Sequence, residues 1–256
     1  TADFWNKGVD WIFDTFFVYI KAFNTWLIQD VLQPMRALYL RMPAVATLVL
    51  AVGAGYLIGG VRSALVVAAL TLFIALSPWW DRALVTLYMA TFGVVISCLI
   101  GFTVGTLCFQ NKKSAAFMLG VCDIFQTFPS FVYLIPVMML FGITDTSVLI
   151  AVIVYATIPA TRYTIEGLRS VPVGLHEAAT MSGVNKFQRL TKIEFPLAFP
   201  HMMLGLNQTI VFALFMVIIG AFIGTEDLGQ YILKALSDKN GAGIGLTLGI
   251  LSLIHI

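Results

Sequence analysis

Charge is scarce in this chain: Asp, Glu, Lys and Arg make up 11% of its 256 residues, against about 25% in soluble domains. So few charges cannot clothe a water-facing surface on a chain that is 59% hydrophobic. A bilayer, with a hydrocarbon slab about 30 Å thick, is the solvent that accepts the excess. Neither sign dominates: 15 basic against 13 acidic residues leave a formal net charge of +2, which excludes the basic footprint of a nucleic-acid binder. Cysteine is scarce too. Cys98, Cys108 and Cys122 are odd in number, lie in apolar runs and lack paired spacing, so packing is their role and neither a disulfide framework nor a metal site is expected. His176, His201 and His255 share no ligand spacing. Gly241, Gly243 and Gly245 follow no strand pattern, and no Gly-Lys-Ser or Gly-Lys-Thr occurs, which excludes a P-loop. With no Gly-x-Ser-x-Gly either, the sequence offers no catalytic constellation, and no cofactor is assigned to the chain itself.

What is present is organised by those few charges. At about 100° per residue, Asp3, Asn6, Lys7, Asp10, Asp14, Lys21, Asn24 and Thr25 share one stripe, while Trp5, Trp11, Phe13, Phe16, Phe17, Phe23 and Trp26 fill the remainder. This predicts an amphipathic helix lying in the membrane interface, aromatic side down, or else a first spanning helix whose polar stripe faces a neighbour. Residues 1–42 are therefore an amino-terminal scaffold segment, and 43–256 a transmembrane domain. Within that domain apolar runs cover Pro43–Gly60, Ser63–Trp80, Ala83–Phe109, Ala115–Gly142, which Asp123 and Pro129 interrupt, and Ser147–Tyr163. A polar stretch over 166–200 follows, then a run from Met202 to Gly224. The last run, Ile244–Ile256, gives about 20 Å of helix and reads as a seventh span continued beyond Ile256. No signal peptide is visible at the start.

The loop Arg162–Pro200 carries Arg162, Arg169, Lys186, Arg189 and Lys192, so it faces the cytoplasm, and five preceding spans put the amino-terminal helix outside. Rows of small residues at spacing four, among them Ala51, Gly55, Gly59 and Gly93, Ser97, Gly101, Gly105, predict close helix contacts. In the polar stretch Pro172 suits a first helical turn, Gly183 a left-handed cap, and Asn185 with Gln188 a capping box. Val173, Leu175, Ala178, Ala179 and Met181 give this short helix an apolar surface in a charged loop, which calls for a partner protein.

The spacing Glu177-Ala178-Ala179, Gly183, Ile193, Phe195-Pro196 resembles the signature loop of permease subunits in ATP-binding-cassette importers, with Phe195 where that pattern has Leu. The resemblance implies an all-α polytopic membrane helical bundle of the type I importer permease class. It makes Glu177, Ala178, Ala179, Gly183, Ile193 and Pro196 the residues that couple the permease to its motor. It further implies a second copy of the permease, a dimer of a cytoplasmic ATPase that binds ATP and Mg, a periplasmic or external substrate-binding protein, and a multi-pass place in the bacterial inner membrane among lipid.

A second stretch, Gln126-Thr127-Phe128-Pro129-Ser130-Phe131-Val132-Tyr133, with Asn207-Gln208 and Asp227-Leu228-Gly229-Gln230 later, is similar to permeases that import glycine betaine, proline betaine and choline; trimethylamine N-oxide fits equally well. Pro129 and Pro136 free backbone carbonyls at membrane depth, which favours a helix lining a water-filled path. Asp123 is an intramembrane carboxylate with Arg162 as its expected partner, forming either a structural ion pair or a gate. The candidate path residues are Asp123, Gln126, Thr127, Phe128, Pro129, Phe131, Tyr133, Asn207 and Gln208, the aromatic rings offering cation–π faces and the amides needing partners. Rival readings are a permease for another solute, such as an amino acid, and a secondary transporter independent of any ATPase.

Overall fold

The computed structural model describes residues 15–220 and 230–231. The first fourteen residues of the amphipathic segment, Gly224, the charges Glu226, Asp227, Asp238 and Lys239, the glycines at 241–245 and the run Ile244–Ile256 lie outside the described residues. Among the described residues every regular element is helical. In chain order these are α1 (residues 15–26), a π-turn at Leu27–Leu32, α2 (Gln33–Arg41), α3 (Ala44–Ala75), α4 (Trp80–Phe109), α5 (Lys112–Thr127), α6 (Phe131–Phe141), α7 (Asp145–Arg169), α8 (Val173–Met181), α9 (Lys186–Arg189), a second π-turn at Leu190–Glu194, and α10 (Phe195–Gly220).

Among the described residues, length and composition give four candidate spans, at Ala44–Ala75, Trp80–Phe109, Asp145–Arg169 and Lys186–Gly220, and a fifth if α5 and α6 count as one. The first two expected spans are the two arms of α3, which breaks at Gly59–Gly60, where Gly60 has φ 67°. A Cβ on Gly55 would lie 3.0 Å from Val67 Cγ2; twelve residues of straight helix would separate these positions by about 18 Å, so α3 folds back as a hairpin. Its second arm stops at Ala75, short of Trp80, because Pro78 cannot continue it; Ser77 Oγ caps the Ile74 carbonyl at 2.8 Å. The expected run Ala115–Gly142 is broken where Pro129 interrupts it: α5 and α6 bend by 91° across Phe128–Ser130. Pro129 ends one helix, whereas Pro136 is accommodated inside α6.

The chain divides into two compact units, one made of 1–89, 134–149 and 217–256, the other of 90–133 and 150–216. In the first, α1 is held by the end of α6: Asn24 Nδ2 donates to the Phe141 carbonyl at 3.2 Å, and the Phe23 and Phe141 rings are 6.1 Å apart. Asn24, in the polar stripe, thus faces a neighbouring helix and serves a carbonyl that α6 leaves without an internal donor. At the start of α7, Asp145 accepts from Tyr88 Oη at 3.3 Å and has Arg36 at 3.8 Å.

In the second unit the row Ser97, Gly101, Gly105 faces α7. Ser97 Oγ donates to the Ile153 carbonyl at 3.2 Å, and a Cβ on Gly101 would sit 2.4 Å from the Ala160 Cβ, one on Gly105 2.7 Å from the Thr164 Cβ. Such an approach is available to glycine alone and gives two helices contact where lipid supplies no hydrophobic drive. Gly205 brings α10 equally near Tyr163. Leu168, Ala198 and Met202 form a buried cluster capped by Phe102, Phe109, Leu190 and Phe195. Cys98 and Cys122 are buried and unbridged.

Candidate functional site

The loop after α7 is built from local capping. Pro172, extended at ψ 134°, precedes α8 as its N-cap rather than standing in its first turn. Gly183, at φ 71°, ends α8. There Val184 N–H donates to the Ala179 carbonyl at 3.1 Å and Gly183 N–H to the Thr180 carbonyl at 3.1 Å, the paired bonds of a Schellman cap. Two residues on, Asn185 Oδ1 accepts from Gln188 N–H at 2.8 Å and Gln188 Oε1 from Asn185 N–H at 3.1 Å, closing the expected capping box. Each of the four turn residues between α8 and α9, 182–185, thus has its N–H bonded, Ser182 to the Ala178 carbonyl included, which leaves no slack residue.

Beyond α9 the helix widens into the π-turn Leu190–Glu194, ahead of Pro196. Glu194 is 2% exposed, and its Oε1 accepts from Arg189 Nε at 2.9 Å. A buried carboxylate persists when paired and hydrogen-bonded, so this pair ties the loop to the head of α10. Nothing in the hydropathy pattern marked it.

Ala178, Ala179, Ile193 and Pro196 come together as walls of one open groove between α8 and the head of α10. Gly183 supplies the cap rather than the wall, and Glu177 is exposed. Ala179 points inward, so it is not part of the outer apolar surface; that surface is Val173, Leu175, Ala178 and Met181, the last 91% exposed. Inward contact at Ala179 seats α8, and outward Met181 leaves an apolar side chain with no cover among the described residues.

A second cluster lies where α5 meets α7. Arg162 Nη1 is 2.5 Å from Asp123 Oδ1 and 3.1 Å from Gln126 Oε1, while its Nε is 3.0 Å from Glu166 Oε1. The expected Asp123–Arg162 pair is present. Glu166 is an addition that the spacing of four along one helix face could have revealed. One guanidinium against two carboxylates leaves the cluster negative, and its side chains are 32% exposed or more.

The other candidate path residues separate. Tyr133 is buried, donates its hydroxyl to the Phe125 carbonyl and packs its ring 5.2 Å from Tyr155; Tyr155 in turn stacks on Phe212 at 4.8 Å. Phe128 and Phe131 are exposed at the bend beside Pro129. Thr127 satisfies its hydroxyl on the Ile124 carbonyl at 2.7 Å. Asn207 is exposed and Gln208 half-buried, so neither is the fully buried amide expected of them.

The profile of the family described as "Binding-protein-dependent transport system inner membrane component" matches residues 93–256. The chain is 88% identical over 98% of its length to the trimethylamine N-oxide transport system permease protein of Pelagibacter ubique, and 45% identical over 89% to the protein of the same name from Ruegeria pomeroyi. It spans about a third of those relatives, 35% and 34% of their lengths. It is 32% identical to the glycine betaine/proline betaine transport system permease protein of Escherichia coli, across 91% of this chain and 66% of that one. Its fold resembles a chain of the MetNI methionine ABC transporter solved in inward-facing conformations, with a TM-score of 0.57 at 21% identity, covering 72% of this chain and 92% of the other.

Proposed function

The chain belongs to the binding-protein-dependent transport system inner membrane components, and from that membership we propose that it forms the membrane passage of an ATP-driven importer for trimethylamine N-oxide. It is a multi-pass protein of the bacterial inner membrane. The observation that carries the choice of solute is the 88% identity across nearly the whole chain to a permease named for trimethylamine N-oxide. Glycine betaine, choline and proline betaine share its small zwitterionic or cationic, N-methylated chemistry and are the solutes against which selectivity is measured.

In this reading the reaction is vectorial. A cytoplasmic ATPase dimer, which binds ATP and Mg, grips the outer face of α8 around Met181, and an external binding protein delivers the solute to two copies of the permease. The rigid double cap at Gly183 and Asn185 supports this use. A helix held without slack at its trailing end transmits displacement to α10 through Ile193 and Pro196 as a packed body moves, instead of absorbing it in a loop. The Asp123–Arg162–Glu166 cluster and the exposed rings Phe128 and Phe131 are the proposed path elements. Asn207, an exposed amide partway along a span, is costly against lipid and faces either the solute path or the second copy.

The test is ATP hydrolysis by the full complex with its binding protein, in the presence of each solute in turn. Stimulation by trimethylamine N-oxide above the other three is expected. Stimulation by none of the four, with an amino acid active instead, would remove the substrate assignment.

A further inference from the structure

We propose that the second unit carries a binding site for the phosphate headgroup of an anionic phospholipid of the inner leaflet, in the cavity formed where α4, α7, α8 and α9 end or begin. The cavity, about 870 Å³, is lined by Lys112, Arg169, Lys186 and Arg189, with Glu194 the single carboxylate. Arg189 is taken up by Glu194 at 2.9 Å. Arg169 donates Nη2 to the Lys112 carbonyl at 3.3 Å, which orients the guanidinium without neutralising it. Lys112, Arg169 and Lys186 make no ion pair among the described residues, so three positive charges converge on one concave space whose own acid is already spent.

Two features select a lipid over a free anion. The floor is apolar, made by Phe109, Leu168 and Leu190, and Phe187 at the rim is 73% exposed. The cations also sit at the ends of apolar elements: Phe109 closes α4, Lys112 opens α5 and Arg169 closes α7. That is the level at which a headgroup meets a span, and basic pockets between helix ends on the cytoplasmic side suit anionic headgroups. An inorganic phosphate would meet the charges and leave the apolar floor to water. The inference rests on the cytoplasmic placement of α8, but its readout is lipid retention and not transport, so failure of one does not mimic failure of the other.

The test is native mass spectrometry of the whole importer complex extracted from bilayers of phosphatidylcholine with phosphatidylglycerol. Wild type is expected to retain phosphatidylglycerol preferentially. The triple variant Lys112→Gln, Arg169→Gln, Lys186→Gln should lose that preference by about fivefold per cation removed, on the order of a hundredfold in all. Lys113→Gln, a neighbouring charge outside the cavity lining, should retain it, which guards against a general effect of cytoplasmic charge. Equal retention by the triple variant overturns the proposal. So does displacement of the ATPase subunit with lipid retention unchanged, which would make the cavity a protein contact, and so does full displacement of the lipid by millimolar inorganic phosphate, which would make it a free-anion site.

Discussion

Gly183 is the position at which the coupling account is most exposed to test. Its φ of 71° lies in the left-handed region, yet a Cβ built there meets nothing within 4 Å. Any penalty inside this chain therefore comes from backbone conformation and not from a clash. An L-residue held in that region costs roughly 1–2 kcal/mol, which multiplies the population of uncapped loop by about 5 to 30. Asn tolerates the conformation better than other non-glycine residues, and a β-branched side chain tolerates it least. In proteoliposomes holding the complete complex, the ratio of solute moved to ATP hydrolysed should therefore fall in the order Gly, Asn, Ala, Val at 183, with hydrolysis itself largely preserved. Conformation and size rank Asn and Ala oppositely. A series in which Gly183→Ala couples better than Gly183→Asn would mean that bulk against a partner sets the effect, and would refute the lever as described. Normal coupling in Gly183→Val would refute it altogether.

Other outcomes follow from the same geometry. Because Arg162 has two carboxylate partners, Asp123→Asn alone should cost little, whereas Asp123→Asn with Glu166→Gln should cut uptake at least about tenfold, or about 1.4 kcal/mol; adding Arg162→Gln should restore part of it, and no restoration would show that the charges act independently. Arg189→Ala leaves Glu194 buried without its 2.9 Å donor, a loss of about 1–3 kcal/mol, seen as a lowered melting temperature in detergent that Arg189→Ala with Glu194→Gln partly recovers. Gly101→Leu forces a side chain into a gap where even a Cβ would stand 2.4 Å from Ala160; it should prevent stable folding, read as loss of a monodisperse peak in gel filtration, while Gly120→Ala, with open space around it, should not.

How much of this was legible in the sequence depends on how local the cause is. The capping box at Asn185 and Gln188 and the left-handed cap at Gly183 are decided within a few residues, and both stand in the structure as their residue types suggest. The row Ser97, Gly101, Gly105 announced a close contact but not its partner, since spacing describes one helix face and the identity of α7 is a tertiary fact. The two runs on either side of Arg62 stand in the structure as the arms of a hairpin, with the bend at Gly59–Gly60; only the end of the second arm differs, at Ala75 rather than Trp80. Pro129 was readable as an interruption, but the 91° angle that follows it is not a property of its neighbouring residue types. Ala179 and Glu194 were misjudged or missed for one reason: a small residue and an acid in a charged loop look solvent-facing until the groove between α8 and α10 is assembled.

The central claim is that this chain moves a methylated amine only when a cytoplasmic ATPase acts on α8. Uptake of labelled trimethylamine N-oxide into proteoliposomes, measured with the permease alone and with ATPase, ATP and binding protein added, tests it most directly. The account predicts uptake in the complete system alone, abolished when ATP is omitted. Equal uptake by the permease alone would contradict it.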